Sequence, residues 1–205
     1  TSGSYAGGIV GFAKGETSIS NCSTSVNVTS NGDSAYSGGI AGFTSYTSIT
    51  NCYNMGTVSA HSSGYGYTCA SSGIVGYAPH TTITNCYNTG NLSANASSGS
   101  GIASGPCTIN NSFYLNTCGG NNNDGGQPMS ADAMKTEEFV NILNNGSDTW
   151  IRDIYNVNQG YPIFSGVLYT NVITTGTSAI TPTHAVLIAT AYSTTYEDFF
   201  GDVTI

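Results

Sequence analysis

Among the side chains best equipped for chemistry in this 205-residue chain are six cysteines, and three of them recur at one position. Cys22, Cys52 and Cys86 each follow an asparagine and a short Thr/Ser/Ile run, and a fourth copy of the run places Ser112 there. No Cys-x-x-Cys pair occurs and the thiols are spread at repeat spacing, which argues against a metal centre. The expectation is a column of small buried thiols. Strands in one sheet lie about 4.8 Å apart, and in-register cysteines pointing the same way meet disulfide geometry only with adjustment. Cys69, Cys107 and Cys118 fall outside the column. Cys107 can bridge Cys118, or Cys69 can reach Cys107 on the next coil, and an oxidising compartment permits either.

Acid/base catalysis needs two groups within reach of one bond. Eleven acids and three basic residues give a net charge of −8, yet only Glu16 and Asp33 precede residue 120. Glu137 and Glu138 suit the first turn of a helix, where the dipole favours them. There is no His-Glu-x-x-His, and no Gly-x-Ser-x-Gly elbow accompanies a plausible triad. His61 and His80 are far from each other and from carboxylates in sequence. The chain reads as non-enzymatic, with no cofactor. Residues 121–126 (Asn121, Asn122, Asn123, Asp124, Gly125, Gly126) can offer oxygens to calcium but lack the EF-hand pattern, so a turn-rich loop is expected. Three basic residues cannot neutralise a run of phosphates, which excludes nucleic acid and charge-driven membrane binding. No stretch reaches the length of an apolar membrane span.

The elements that position these groups are repeats. The blocks GGIVGF (7–12), GGIAGF (38–43), SGIVGY (72–77) and the weaker SGIASG (100–105) are followed by TSISNC (17–22), TSITNC (47–52), TTITNC (81–86) and CTINNS (107–112). Equivalent isoleucines Ile9, Ile40, Ile74 and Ile102 are 31, 34 and 28 residues apart. Short β-branched runs between Gly, Asn and Ser read as strands and turns. One such unit cannot bury its apolar face alone. The sequence therefore predicts an all-β, right-handed β-solenoid of about four coils. Its core stacks Ile9, Ile40, Ile74 and Ile102 in one column, and Ile19, Ile49, Ile83 and Ile109 in another.

The pairing of GGIVGF or GGIAGF with ITNCYNMGTV (49–58) and ITNCYNTGNL (83–92) resembles the GLUG-motif repeat of bacterial surface and secreted proteins, including segments of some immunoglobulin A peptidases. The resemblance spans roughly residues 5–165. It implies a surface-exposed β-solenoid, often within large adhesin-like chains, and is specific for architecture rather than for activity.

Three units are expected: the repeats at 1–128, a capping segment at 129–165 and a strand segment at 166–205. In the second, Ser130 and Thr136 read as helix N-caps, and Phe139, Leu143, Trp150, Tyr161 and Phe164 read as a cap over the open last coil. In the third, 167–174, 185–192 and 199–205 read as strands resembling the start of an immunoglobulin-like module, too few to close a sandwich. They can instead serve as a strand-exchange arm that links copies head to tail into an extracellular filament. Tyr65 and Tyr67, in the loop at 60–71, are the candidate contacts for a glycan or protein partner. An ice-binding role for the stacked threonines fits poorly with four unequal coils. With no leader or initiating Met the chain reads as processed or excised. Six Asn-x-Ser/Thr sequons begin at Asn21, Asn27, Asn91, Asn95, Asn110 and Asn145. The expected location is extracellular, secreted or at the cell surface, with other copies, neighbouring domains or host glycans as partners.

Overall fold

The computed structural model describes residues 3–62, 69–95, 99–120 and 125–166. The first repeat supplies β1 (Gly3–Gly7), β2 (Val10–Ser20), β3 (Ser23–Thr24) and β4 (Val28–Gly32). The second supplies β5 (Ser34–Gly38), β6 (Ala41–Thr50), β7 (Tyr53–Asn54) and β8 (Val58–Ser62). The third gives β9 (Cys69–Ser72), β10 (Val75–Tyr77), β11 (Thr82–Thr84), β12 (Tyr87–Asn88) and β13 (Leu92–Ala94). The fourth gives β14 (Thr108–Asn110) and β15 (Phe113–Leu115), followed by β16 (Gln127–Met129). Pro79 lies between β10 and β11, where the second repeat runs one unbroken strand, because proline brings no N–H to the ladder.

Each strand pairs in parallel with its equivalent one repeat away. The sheets run β1-β5-β9, β10-β6-β11-β14 with β2 on β6, β16-β15-β12-β7-β3, and β13-β8-β4. Register is kept by identical chemistry: Ile19 faces Ile49, Ile49 faces Ile83, and Ile83 faces Ile109. This mostly-β, parallel arrangement is compatible with a β-helix-like fold.

The central core joins Ile40, Ile74 and Ile102 with Ile49, Ile83, Cys52 and Cys86, all of them buried. Each such aliphatic side chain contributes about 1.5–3 kcal/mol by leaving water. Ile9 departs from the expected core: it is 49% exposed, since the described residues cover its edge repeat on one side only. Ile19 and Ile109 are half-buried for the same reason of position.

Beneath the repeated Gly-Gly-Ile lies a buried asparagine column. Asn54 Nδ2 donates to Asn88 Oδ1 at 2.8 Å, and each side chain also closes a turn onto Gly56 or Gly90 through both its N–H and its C=O. A Cβ on Gly39 would sit 2.4 Å from Asn54 Cγ, and one on Gly73 2.5 Å from Asn88 Cβ. The second glycine of the motif is the space the asparagine fills.

The segment after the repeats takes a different path from the expected cap. The C-terminal end of the stack is closed earlier, by β16 on β15 and by buried Gly126, where a Cβ would lie 2.6 Å from Ile102 Cγ1. Helices α1 (Ala131–Met134) and α2 (Glu137–Asn144) follow, capped by Ser130 and Thr136 side chains that accept from Ala133 and Phe139 N–H. The hairpin of β17 (Trp150–Ile151) and β18 (Ile163–Phe164) then runs along the flank of the β3–β16 sheet. Phe139 meets Phe113 of the fourth repeat, Trp150 meets Tyr87 of the third, and Phe164 meets Tyr53 of the second. Phe139, Leu143, Trp150 and Tyr161 are buried in one cluster with Phe164 packed against it, so the segment is a lateral strap. Outward-facing Tyr53, Tyr87 and Phe113 are apolar surface along the side, and that surface is what the strap covers.

Candidate functional site

The thiol column has a structural explanation. Sγ of Cys22, Cys52 and Cys86 donates to the carbonyl two residues back (Ser20, Thr50 and Thr84), and Ser112 Oγ does the same to Asn110. In turn Cys52 N–H donates to Cys86 Sγ at 3.3 Å, and Cys86 N–H to Ser112 Oγ at 3.1 Å. A hydroxyl or a thiol satisfies the position equally. Burial pushes the Cys86 thiol well up from its ordinary value, and the side-chain contact with Cys86 holds the Cys52 pKa down. Burial also raises Cys22 and Cys118.

None of the six cysteines forms a disulfide. Both bridges considered from the sequence are therefore absent. Cys107 continues the threonine side of the ladder, one residue before the Thr82–Thr108 pair, while Cys118 follows a turn closed by its N–H on Leu115 O. Cys69 Sγ donates to Asn95 Oδ1.

The corner asparagines before the column, Asn21, Asn51, Asn85 and Asn111, all take φ between 42° and 54°. Asparagine tolerates this left-handed backbone better than most residues. Their amides bond in pairs, Asn51 to Asn21 and Asn111 to Asn85, and Asn51 Oδ1 is buried without a partner at the break.

The exterior carries two aromatic columns. Tyr5 stacks on Tyr36 at 5.9 Å, and Phe12 lies parallel to Phe43 at 4.7 Å, with Tyr77 beyond it. Tyr5 touches both Phe12 and Phe43, so the columns form one surface. At another corner Tyr46 stacks on His80 at 4.7 Å, both at φ 54° and both exposed. An open cleft of about 360 Å³ is lined by Asn21, Asp148, Thr149, Phe164 and Ser165.

The described acids are spread or already engaged. Asp153 is buried and its carboxylate accepts from Val157, Asn158 and Gly160 N–H at 2.6–2.9 Å. Glu137 and Glu138 are exposed in the first turn of α2, and Arg152 Nε lies 4.0 Å from Glu137. Among the described residues no group of three His, Cys, Asp or Glu could hold a metal ion, and no helix is long and apolar enough to cross a membrane. Tyr65, Tyr67, residues 121–124 of the calcium-candidate loop and the strands proposed from 167 onward lie outside the described residues. Sequence reasoning expected His80 at the surface, where it lies, but missed its pairing with Tyr46, for which the signal was two ring-bearing residues at the corner where the first repeat has Gly15.

Residues 2–29 match the family model of the GLUG motif. No curated protein matches the chain. A crystal structure of a candidate immunoglobulin A1 protease from Bacteroides ovatus is similar over 79% of this chain, with TM-score 0.58 and 24% identity. The chain spans 53% of that protein's length, and the likeness is one of fold.

Proposed function

We propose that the chain is a right-handed β-solenoid that works as a rigid, non-enzymatic structural or adhesive part of an extracellular bacterial surface protein. The observation that carries this is the fate of its reactive side chains. The repeated Asn, Cys and Ser groups are used in holding one coil to the next, as with Asn54 on Asn88 and Cys52 on Cys86. What faces solvent is a hydroxyl- and amide-rich coat interrupted by the Tyr5, Phe12, Tyr36, Phe43 and Tyr77 surface. Exposed aromatic area of this kind suits recognition of a sugar or protein. The GLUG match supports a repeat of that motif, and the similarity to a candidate protease supports the fold.

Two assays on the purified chain test this. Saturable binding to immobilised host glycans or mucin, weakened at least several-fold by Phe12→Ala with Tyr36→Ala, is expected. Cleavage of immunoglobulin A1 or of a general peptidase substrate would overturn the non-enzymatic reading.

A further inference from the structure

The corner at Tyr46 and His80 carries a backbone cost that the fold does not require. Both residues take φ 54°, in the left-handed region that bulky side chains rarely adopt. The first repeat turns the same corner with Gly15 at φ 96°, which a glycine enters freely. Strained backbone of this kind clusters at ligand-holding sites. Here it holds two exposed rings 4.7 Å apart with their planes 14° from parallel.

By register the corner column reads Gly15, Tyr46, His80 and Pro106. One face of the Tyr46 ring lies on His80. Its other face looks toward the first repeat, where Gly15 offers no side chain, and among the described residues no ring stacks there. The column is one ring short at that level. The gap is set by Gly15 itself, whatever lies beyond the first repeat. Its rim is unlike the rest of the repeats. Lys14 pairs with Ser45 and Thr17 with Thr47, so Gly15 and Glu16 together stand opposite Tyr46, a bulge of the kind that re-aims side chains. Lys14, Glu16 and Asp33 are the charged residues before position 120, and two of these three flank Gly15, both exposed. Two positions past Tyr46, exposed Ser48 lies beside exposed Ser18.

We propose that the notch at Gly15 binds one pyranose ring of a glycan, stacked on the uncovered face of Tyr46. A pyranose has an apolar face of C–H groups that suits an aromatic ring, and an edge of hydroxyls that suits a polar rim. The Glu16 carboxylate accepts from paired hydroxyls, and Lys14 and Ser48 supply donors. A protein partner fits less well, because a stable protein interface buries on the order of 800 Å² a side and one ring face supplies a small part of that. The notch is at a different corner from the Tyr5, Phe12 and Tyr77 surface, and the inference stands whether or not that surface binds anything.

Titration of the full 205-residue chain with methyl β-glucopyranoside, methyl β-galactopyranoside and N-acetylglucosamine tests it, read by the NMR signals of the Tyr46 and His80 rings and by saturation transfer to the sugar. Saturable binding of at least one sugar that shifts both rings is expected, with a dissociation constant on the order of millimolar. Tyr46→Gly installs the residue that the first repeat already has at this corner, so it should keep the circular dichroism spectrum while weakening binding roughly tenfold or more. Tyr46→Phe, which keeps the ring face, should bind as the parent does, and Glu16→Gln should bind several-fold more weakly. Phe12→Ala with Tyr36→Ala should leave this binding unchanged. The proposal is overturned by absence of saturable binding of all three sugars up to about 100 mM, or by equal binding in Tyr46→Gly. Binding lost in the Phe12 and Tyr36 variant but kept in Tyr46→Gly also overturns it, by moving the sugar to the other aromatic surface. Ring shifts produced by indole or N-acetylprolinamide and by none of the sugars overturn it too, and assign the notch to a protein side chain.

Discussion

Asn88 is the residue through which two repeats and one turn are hydrogen-bonded at once. Its Oδ1 accepts from Asn54 Nδ2 and Gly90 N–H, and its Nδ2 donates to Gly90 O. Asn88→Ala leaves these buried groups without partners, each costing about 1–3 kcal/mol. A loss of roughly 3 kcal/mol, seen as a lower urea midpoint, is expected, whereas Ser93→Ala, at the exposed position of β13, should change the midpoint little. The thiol column makes a prediction of opposite kind. Cys86 has its pKa raised by burial from an ordinary value of 9.0, so as pH rises the unfolded thiol ionises while the folded one keeps its proton. Stability is whole below that value and falls as pH climbs through it. Cys86→Ser, which installs the group already used at Ser112, should fold normally at pH 7 and show a smaller drop in urea midpoint between neutral and alkaline pH. Cys22, Cys118, Tyr53 and Tyr161, also raised by burial, leave a residual decline in the variant. The cysteine column was legible because its spacing repeats. The asparagine column was not, because nothing in a string of Asn-Cys-Tyr-Asn says which amide turns inward and which sits at a left-handed corner.

At the scale of elements, β-branched runs at a fixed step dictated the strands, and the Ile49–Ile83–Ile109 register follows from like stacking on like. The aromatic surface was half legible, since Phe12, Phe43 and Tyr77 end the repeated block, while Tyr5 and Tyr36 belong to the strand before it. The strap was misplaced in sequence reasoning for a physical cause. An apolar cluster such as Phe139, Trp150 and Phe164 can bury itself against the end of a stack or against its side. The side is chosen here because Tyr53, Tyr87 and Phe113 stand on the outer face of their sheet, one per coil. Polar contacts fix the docking: the buried Tyr87 OH donates to Pro162 O and accepts from Asn158 Nδ2, and at an exposed position Asn111 Nδ2 donates to Ile142 O. Trp150→Ala should therefore cost about 3–5 kcal/mol, as large aromatic truncations in cores do. It should also speed amide exchange in β17 and β18 more than in β6. Ile154→Ala in the same strap, at a side chain 69% exposed, should leave the urea midpoint within about 0.5 kcal/mol of the parent.

For the whole molecule, a linear stack of repeats ought to be only weakly cooperative, because each unit touches its neighbours alone and can fray from either end. The strap changes that coupling. It leaves the last repeat through β16, contacts the fourth at Phe113, the third at Tyr87 and the second at Tyr53, and ends beside Asn21 of the first. The second, third and fourth repeats cannot open without uncovering part of one aromatic cluster, so local opening carries a cost shared by those three. Unfolding of the described body should then be a single transition, with strand content by circular dichroism and Trp150 fluorescence giving coincident urea midpoints. Gly73→Ala sharpens the test from within the stack. Its new Cβ would press on Gly101 O at 2.2 Å and on Asn88, which costs about 1–3 kcal/mol by overpacking in the third repeat. If the strap couples the repeats, both probes move together although Trp150 lies outside the altered turn. A shift in circular dichroism with Trp150 fluorescence unmoved would mean that the repeats fray one by one and that the strap only covers them.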